Sequence, residues 1–334
     1  MIAIKSSIIL LILFILYKKI FKKFVTKHYN SHQKLTGEES IPLIGGLIFI
    51  SYLIINYSSI GSLTIFFSFI IFLLGVLSDT NYLKSPKNRL VSQILLVILY
   101  IYFSNIQVID LRSDFLNTIL LNGYTKILFL TICFLVLING SNFIDGLNGL
   151  NLGYFLMVFL TLWQLNFSSQ IYLDEYKILL LIFPIIFLLI LNLLNYLYLG
   201  DSGAYLLGFL VGVFLVEVSL LNSHISPYFI ALLLWYPAFE NFFSIFRKLI
   251  RKFDPVLPDT FHLHQLIFRY IKQKNFKLNK FSNQISSIII LCYNLLIFII
   301  SLDYYSKTNV LLFLITLNIF VYLIIYFLLK KHLN

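Results

Sequence analysis

Long apolar runs alternate with short polar interruptions along almost the whole chain, and the runs approach the roughly 17–25 residues that a helix needs to cross a bilayer. Eleven membrane-crossing stretches are predicted, at 2–17, 43–57, 62–78, 90–106, 124–141, 147–167, 177–196, 204–222, 228–246, 284–302 and 309–329. The fold expected is therefore an all-α polytopic integral membrane protein of about ten to eleven helices. One interruption stands out. Between the fifth and sixth runs, Asn142-Phe143-Ile144-Asp145-Gly146-Leu147-Asn148-Gly149-Leu150 puts an acid, two amides and two glycines in the middle of apolar sequence. A carboxylate at the bilayer centre costs roughly 2.5–3.5 kcal/mol on insertion scales, so Asp145 belongs at a membrane surface or in a wet cavity.

Composition supports the same class. Hydrophobic residues make up 60% of the 334 and charged residues 12%, against about 45–50% and about 25% in an ordinary soluble domain. Cys133 and Cys292 both lie within apolar runs, so neither a disulfide framework nor a cysteine metal cluster is available. The first run, preceded by Lys5, is short enough for a signal segment. No small-residue cleavage site follows it, and a lysine cluster from Lys18 to Lys34 does, so it is read as a retained helix.

Charge then orients the chain. With the N-terminus outside, the cytoplasmic loops are 18–42, 79–89, 142–146, 197–203 and 247–283, and the C-terminus is cytoplasmic. Those segments and the tail hold 20 of the 25 Lys and Arg residues, as the positive-inside rule requires. The same alternation puts Asp79, Asp145, Asp201, Asp254 and Asp259 on the cytoplasmic side. Asp110, Asp114, Asp174, Glu175 and Asp303 fall outside, where they read as solvated loop residues.

Four cytoplasmic stretches hold the candidate chemistry. In Gly75 through Arg89, the polar residues suit a turn at a membrane edge; equally, Asp79 can face a phosphate or a metal, with Lys84, Lys87 and Arg89 drawing anionic groups to the surface. In the interruption at 142–150, Asn142, Asp145 and Asn148 recur at three-residue intervals and share one face if helical, a convergence of donors and acceptors suited to a base, a ribose or a phosphate. In Gly200-Asp201-Ser202-Gly203, either a helix cap or a carboxylate holding Mg²⁺ beside helix amides that face phosphate oxygens fits the residues. The longest polar loop carries His262-Leu263-His264-Gln265; two histidines with no cysteine partner are a poor zinc signature, but they suit diphosphate binding or proton transfer near neutral pH.

Taken in order, Pro42 with Gly45-Gly46, Gly75 through Arg89, Asn142 through Leu150, Gly200 through Gly203, and His262-Leu263-His264 resemble the polyprenyl-phosphate N-acetylhexosamine-1-phosphate transferases over roughly residues 40–270. That resemblance implies one transmembrane catalytic domain over 1–334 and an active site on the cytoplasmic face of the inner, or plasma, membrane. It implies Mg²⁺-dependent transfer of a sugar 1-phosphate from a UDP-N-acetylhexosamine to a polyprenyl (undecaprenyl) phosphate, with release of UMP. By the same resemblance Asp201 is the Mg²⁺ ligand, Asp79, Asp201, His262 and His264 are the catalytic set, and Asn142, Asp145, Asn148, Lys84, Lys87 and Arg89 face the substrates. The chain departs from the family pattern at Ser78, where the first of two adjacent aspartates is usual, at Gln265, where a third histidine is often found, and at Asn148, commonly Asp.

Physical chemistry fits such a reaction, since a membrane-bound isoprenoid phosphate and a water-borne sugar nucleotide meet only at the bilayer edge. The net charge of +11, concentrated on one face, suits two anionic substrates; without a soluble reading domain it is no nucleic-acid signal. Two other readings follow from particular residues. Glu217 and Glu240 within apolar runs suit a transporter of nucleotide-sugars or lipid-linked sugars, and Ser78 suits a catalytically impaired family member. A homodimer is compatible with the pattern.

Overall fold

A computed structural model describes residues 2–21, 41–106, 110–250, 252, 260–274 and 281–333. Most of the first basic loop, and Asp254, Asp259, Lys277 and Lys280 of the last, lie outside the described residues. The described chain forms α1 (Ile2–Phe21), α2 (Gly45–Ile55), α3 (Tyr57–Ile60), α4 (Ser62–Asp79), α5 (Pro86–Ser104), α6 (Asp114–Leu120), α7 (Gly123–Ile144), α8 (Leu150–Phe167), α9 (Glu175–Leu193), α10 (Gly200–Leu221), α11 (Pro227–Leu233), α12 (Trp235–Ile250), α13 (Leu263–Lys274), α14 (Ser282–Leu302) and α15 (Thr308–Leu333). No strand occurs among the described residues.

All eleven apolar stretches are helical, yet fewer are full crossings by length and composition. Among the described residues α4, α7, α8, α9, α10, α14 and α15 qualify, and α11 with α12, bent by 73° at Leu234, makes an eighth if the pair is one span. The shortfall has local causes. α2 has 11 residues, roughly 16 Å of rise against an apolar core of about 30 Å. α1 carries Lys5, Lys18 and Lys19 within its 20 residues. α5 opens on a polar turn, with Pro86 at its start and Ser85 accepting from the Asn88 amide as its cap.

α10 is the element around which the bundle is built. It packs on α4, α7 and α2, and nearly all of it from Gly200 to Leu215 is buried. Small residues set the approach. A Cβ on Gly75 of α4 would lie 2.3 Å from Ser202 Cα, and one on Gly46 of α2 would lie 2.6 Å from the Gly203 nitrogen, so these helices touch backbone to backbone. Lower in the same seam, Tyr100 packs edge to face with Phe67, Phe134 and Phe209, and the Phe134 and Phe209 rings meet at a tilt. On the other side α8 packs on α9 and α14, and α15 covers α11 and α13. The outward faces of α1, α14 and α15 present Ile8, Leu11, Leu296, Ile299, Phe313 and Phe320, which suits lipid contact in a chain of this hydropathy.

Alternation of the loops is visible directly. At one end Arg112 donates to the Ser306 and His224 carbonyls, Tyr172 N–H donates to Asn222, and Tyr305 reaches Gln170. The loops after α5, α8, α10 and α14 therefore meet there. The loops after α4, α7, α9 and α12 meet at the opposite end, where the candidate residues are.

Two in-span acids are accounted for differently. Glu217 pairs with Lys177 of α9, whereas Glu240 on α12 is fully buried and faces the histidine loop.

Candidate functional site

Asp79 ends α4 where that helix abuts the start of α10. Its two carboxylate oxygens accept the backbone N–H groups of Asp201, at 2.9 Å, and Ser202, at 3.0 Å. These are first-turn amides that a helix cannot satisfy internally, and a carboxylate there is also favoured by the helix dipole. Gly200 enters the turn at φ +75°, and a Cβ there would fall 2.9 Å from Asp79 Oδ2, so the sequence needs glycine at 200 for both reasons. Asp79 thus pins α10 to α4.

Pinned in this way, Asp201 faces the α4–α5 junction. Ser78 Oγ donates to Asp201 Oδ2 at 2.5 Å, and Arg89 Nη1 lies 2.6 Å from Ser78 Oγ and 3.2 Å from the same carboxylate oxygen. The residue that departs from the family pattern is thereby part of the cluster, linking an acid to a guanidinium. Lys84, in the loop between α4 and α5, and Lys87, in the first turn of α5, are exposed nearby.

Asp145 caps the C-terminal end of α7. Burial raises its carboxyl pKa well above the ordinary range, and the negative charges of Asp201 and Asp79 raise it further, while a hydrogen bond from Asn151 works the other way. Three carboxylates from distant parts of the chain therefore share one electrostatic neighbourhood. Asp145, Gly146, Leu147 and Asn148 line a small cavity with Asn192, Tyr198 and Leu199. Asn142 lies one turn back on α7, partly exposed.

Asn148 is held by an amide network. Its N–H donates to Asn283 Oδ1 at 2.8 Å, and its side-chain NH₂ donates to the Asn192 carbonyl at 3.2 Å and to Asn195 Oδ1. Gly149, at φ +79°, turns the chain into α8 and donates to Asn192 Oδ1 at 2.6 Å. An aspartate at 148 would present acceptors to acceptors; the amide is the group this surrounding requires. The Pro42–Gly46 segment is likewise held by backbone, with Gly45 N–H donating to the Tyr198 carbonyl and Tyr198 N–H to that of Pro42.

His262 and His264 close the site from the far end of the sequence. The His262 ring lies 5.2 Å from that of Phe143 and 5.5 Å from that of His264, and a Cβ on Gly146 would meet His264 Nε2 at 2.9 Å. His264 is fully buried; desolvation lowers its pKa, partly offset by the nearby Glu240 carboxylate. Gln265 serves the start of α13: its Oε1 accepts from His262 N–H at 3.4 Å, the glutamine half of a capping box, while its own N–H donates to the His262 carbonyl.

Glu240 is the site residue that sequence reasoning assigned elsewhere. Its Oε2 is 2.9 Å from His262 Nδ1, and its Oε1 accepts from Leu263 N–H at 2.9 Å and Tyr236 O–H at 3.3 Å. The signal that identifies it is its place on α12, whose Arg247 donates to the Phe261 carbonyl at 2.8 Å just before the histidines. One helix thus grips the loop twice.

Among the described residues no group of three or more His, Cys, Asp or Glu side chains is disposed to hold a metal. Mg²⁺ is ordinarily bound by one or two carboxylates together with water and substrate phosphates. Asp201, a hard oxygen donor among mutually repelling carboxylates, fits that pattern.

The sequence model described as glycosyl transferase family 4 matches residues 62–219, which contain the Asp79, Asp145 and Asp201 stretches. Curated relatives extend the likeness. An undecaprenyl-phosphate alpha-N-acetylglucosaminyl 1-phosphate transferase of Thermotoga maritima is 29% identical over 70% of this chain and 69% of its own. A phospho-N-acetylmuramoyl-pentapeptide-transferase of Prochlorococcus marinus is 28% identical over 71% of this chain and 73% of its own. A second undecaprenyl-phosphate alpha-N-acetylglucosaminyl 1-phosphate transferase, of Escherichia coli O157:H7, is 26% identical over 69% and 65%.

Proposed function

We propose, from the match of residues 62–219 to the glycosyl transferase family 4 model and the likeness to the sugar-phosphate transferases above, that this multi-pass membrane chain moves a sugar 1-phosphate, of the N-acetylhexosamine class, from a UDP-sugar to a polyprenyl phosphate. An oxygen of the lipid phosphate attacks the sugar-bearing phosphorus of the donor. The diphosphate bond breaks, UMP leaves with the electron pair, and a sugar diphospholipid forms. The observation that carries this reading is the meeting of Asp79, Asp145, Asp201 and the two histidines at one end of the bundle beside Arg89.

A phosphate monoester already carries about −1.5 to −2 charges at pH 7, so the attacking group needs little help from a base and Ser78 is no obstacle. The work left to the protein is position and charge. Arg89, with Lys84 and Lys87, draws the phosphates in; Asn142, Asp145 and Asn148 face the nucleotide; Asp79 fixes Asp201 by holding the amides on either side of its Cα. Asp201 would hold Mg²⁺, which when bound supplies positive charge to the diphosphate. An apolar cavity of about 220 Å³, running from Leu111 and Pro227 to Leu137 and Leu234 at the α11–α12 bend, suits an isoprenoid chain. The clustering of Lys and Arg in the loops at this end supports a cytoplasmic orientation for it by the positive-inside rule, at the plasma membrane.

The test is product formation by purified protein given undecaprenyl phosphate, Mg²⁺ and a panel of UDP-sugars. UMP release that requires the lipid supports the proposal. Uptake of intact sugar nucleotide into vesicles with no UMP would favour a transporter, and inertness toward the whole panel an impaired relative.

A further inference from the structure

Glu240 is a buried acid that the transfer reaction, as described above, does not use. It has no exposure to solvent, and leaving a carboxylate in such a place is costly unless its oxygens are occupied. They are. Oε1 accepts from the Leu263 amide and the Tyr236 hydroxyl. Oε2 stands 2.9 Å from His262 Nδ1, a distance that demands one proton between the two atoms. Since imidazole is ordinarily the stronger base of the pair, that proton sits on Nδ1.

We propose that Glu240 is the positioning residue of the histidine motif, fixing the proton of His262 on Nδ1 and the ring against Phe143, so that Nε2 is the nitrogen that exchanges a proton or bonds with a substrate phosphate. The same carboxylate lies 3.8 Å from His264 Nδ1, close enough to orient that ring by charge. Arg247, bonded to the Phe261 carbonyl, holds the backbone on the N-terminal side. A carboxylate that sets the tautomer and angle of a working imidazole is a recurring device. This inference rests on the proposed transfer reaction for its kinetic consequences and on geometry alone for the tautomer. The ionisable groups around Glu240 are His262 and His264 from the loop and α13, Tyr236 and Arg247 from α12, and Tyr322 from α15.

Two experiments on the full chain in detergent or nanodiscs decide it. In the first, ¹⁵N-histidine spectra of the wild type, with the His262 signals assigned by loss in His262→Asn, show Nδ1 protonated at neutral pH. A His262 protonated only at Nε2 overturns the proposal whether or not the protein is a transferase. In the second, Glu240→Gln lowers kcat about tenfold or more with the donor KM little changed, and the limb of the pH–rate profile that is lost in His262→Asn moves. Glu240→Asp restores the limb toward its original position. In a His262→Ala background Glu240→Gln has no further effect. Additive losses, or an active wild type whose kinetics and pH profile Glu240→Gln leaves unchanged, contradict the assignment. A wild type that releases no UMP defeats the transfer reading instead, and the spectra then decide the placement of the proton.

Discussion

Ser78 donates its hydroxyl to Asp201 Oδ2 at 2.5 Å, tying the last turn of α4 to the first turn of α10 at the position where the resemblance leads one to expect the first of two adjacent aspartates. Arg89 Nη1 reaches both the hydroxyl and the carboxylate, so the guanidinium pairs with Asp201 directly while Ser78 holds the two together. Ser78→Asp should place two carboxylates in contact here. At 4 Å and an effective dielectric of about 20 such repulsion is about 4 kcal/mol before Arg89 offsets part of it. The variant should unfold at lower temperature than the wild type in chelator, and added Mg²⁺ should recover more of that loss than it gives the wild type. Thermal unfolding with and without Mg²⁺ measures both.

Gly75→Ala tests the seam that holds the site together. Its Cβ would lie 2.3 Å from Ser202 Cα, and backbone cannot yield as a side-chain tip can. Forcing α4 and α10 apart should cost roughly 1–3 kcal/mol and lengthen both N–H hydrogen bonds to Asp79. A lowered unfolding midpoint together with lost activity is expected; an unchanged midpoint would show that the helices do not meet as described.

Much of this site was legible in the chain because its parts are local. The eleven apolar runs are all helical, and the turn residues at 75–89, 142–150 and 200–203 interrupt them at one end. What could not be read was long-range. Asp79 spends both oxygens on amides 122 and 123 positions away, and no spacing within Gly75–Arg89 reveals that. Glu240 looked like a transport acid because an acid within an apolar run has no partner in the linear sequence; its partners arrive from the loop beyond α12. Asn148 read only as a departure from a common Asp, whereas Asn192, Asn195 and Asn283 make it the amide the fold needs. The break at Leu234 likewise follows from tertiary packing, since an apolar run does not show where it bends.

Asp145→Asn should separate stability from function. Because burial and the neighbouring carboxylates raise the Asp145 pKa, the folded protein keeps a proton on this group above the ordinary carboxylate range, where the unfolded chain has released it. Its contribution to stability is thus lost as pH rises through the native pKa. The neutral amide removes that loss. In chelator the variant should have a higher unfolding midpoint than the wild type at neutral pH, with the difference shrinking on acidification, while transfer activity falls. An equal or lower midpoint at neutral pH would mean that Asp145 is not held near Asp201 and Asp79.

The central claim is that Asp201, fixed by Asp79 at the head of α10, is the acid through which the site acts on a diphosphate. Purified wild type and Asp201→Asn should be compared for lipid-dependent UMP release from UDP-N-acetylhexosamine, with matched membrane insertion and unfolding temperature. The wild type should release UMP only with divalent cation present, and the variant should lose at least about a hundredfold in rate. Full turnover by a folded Asp201→Asn protein would contradict the account.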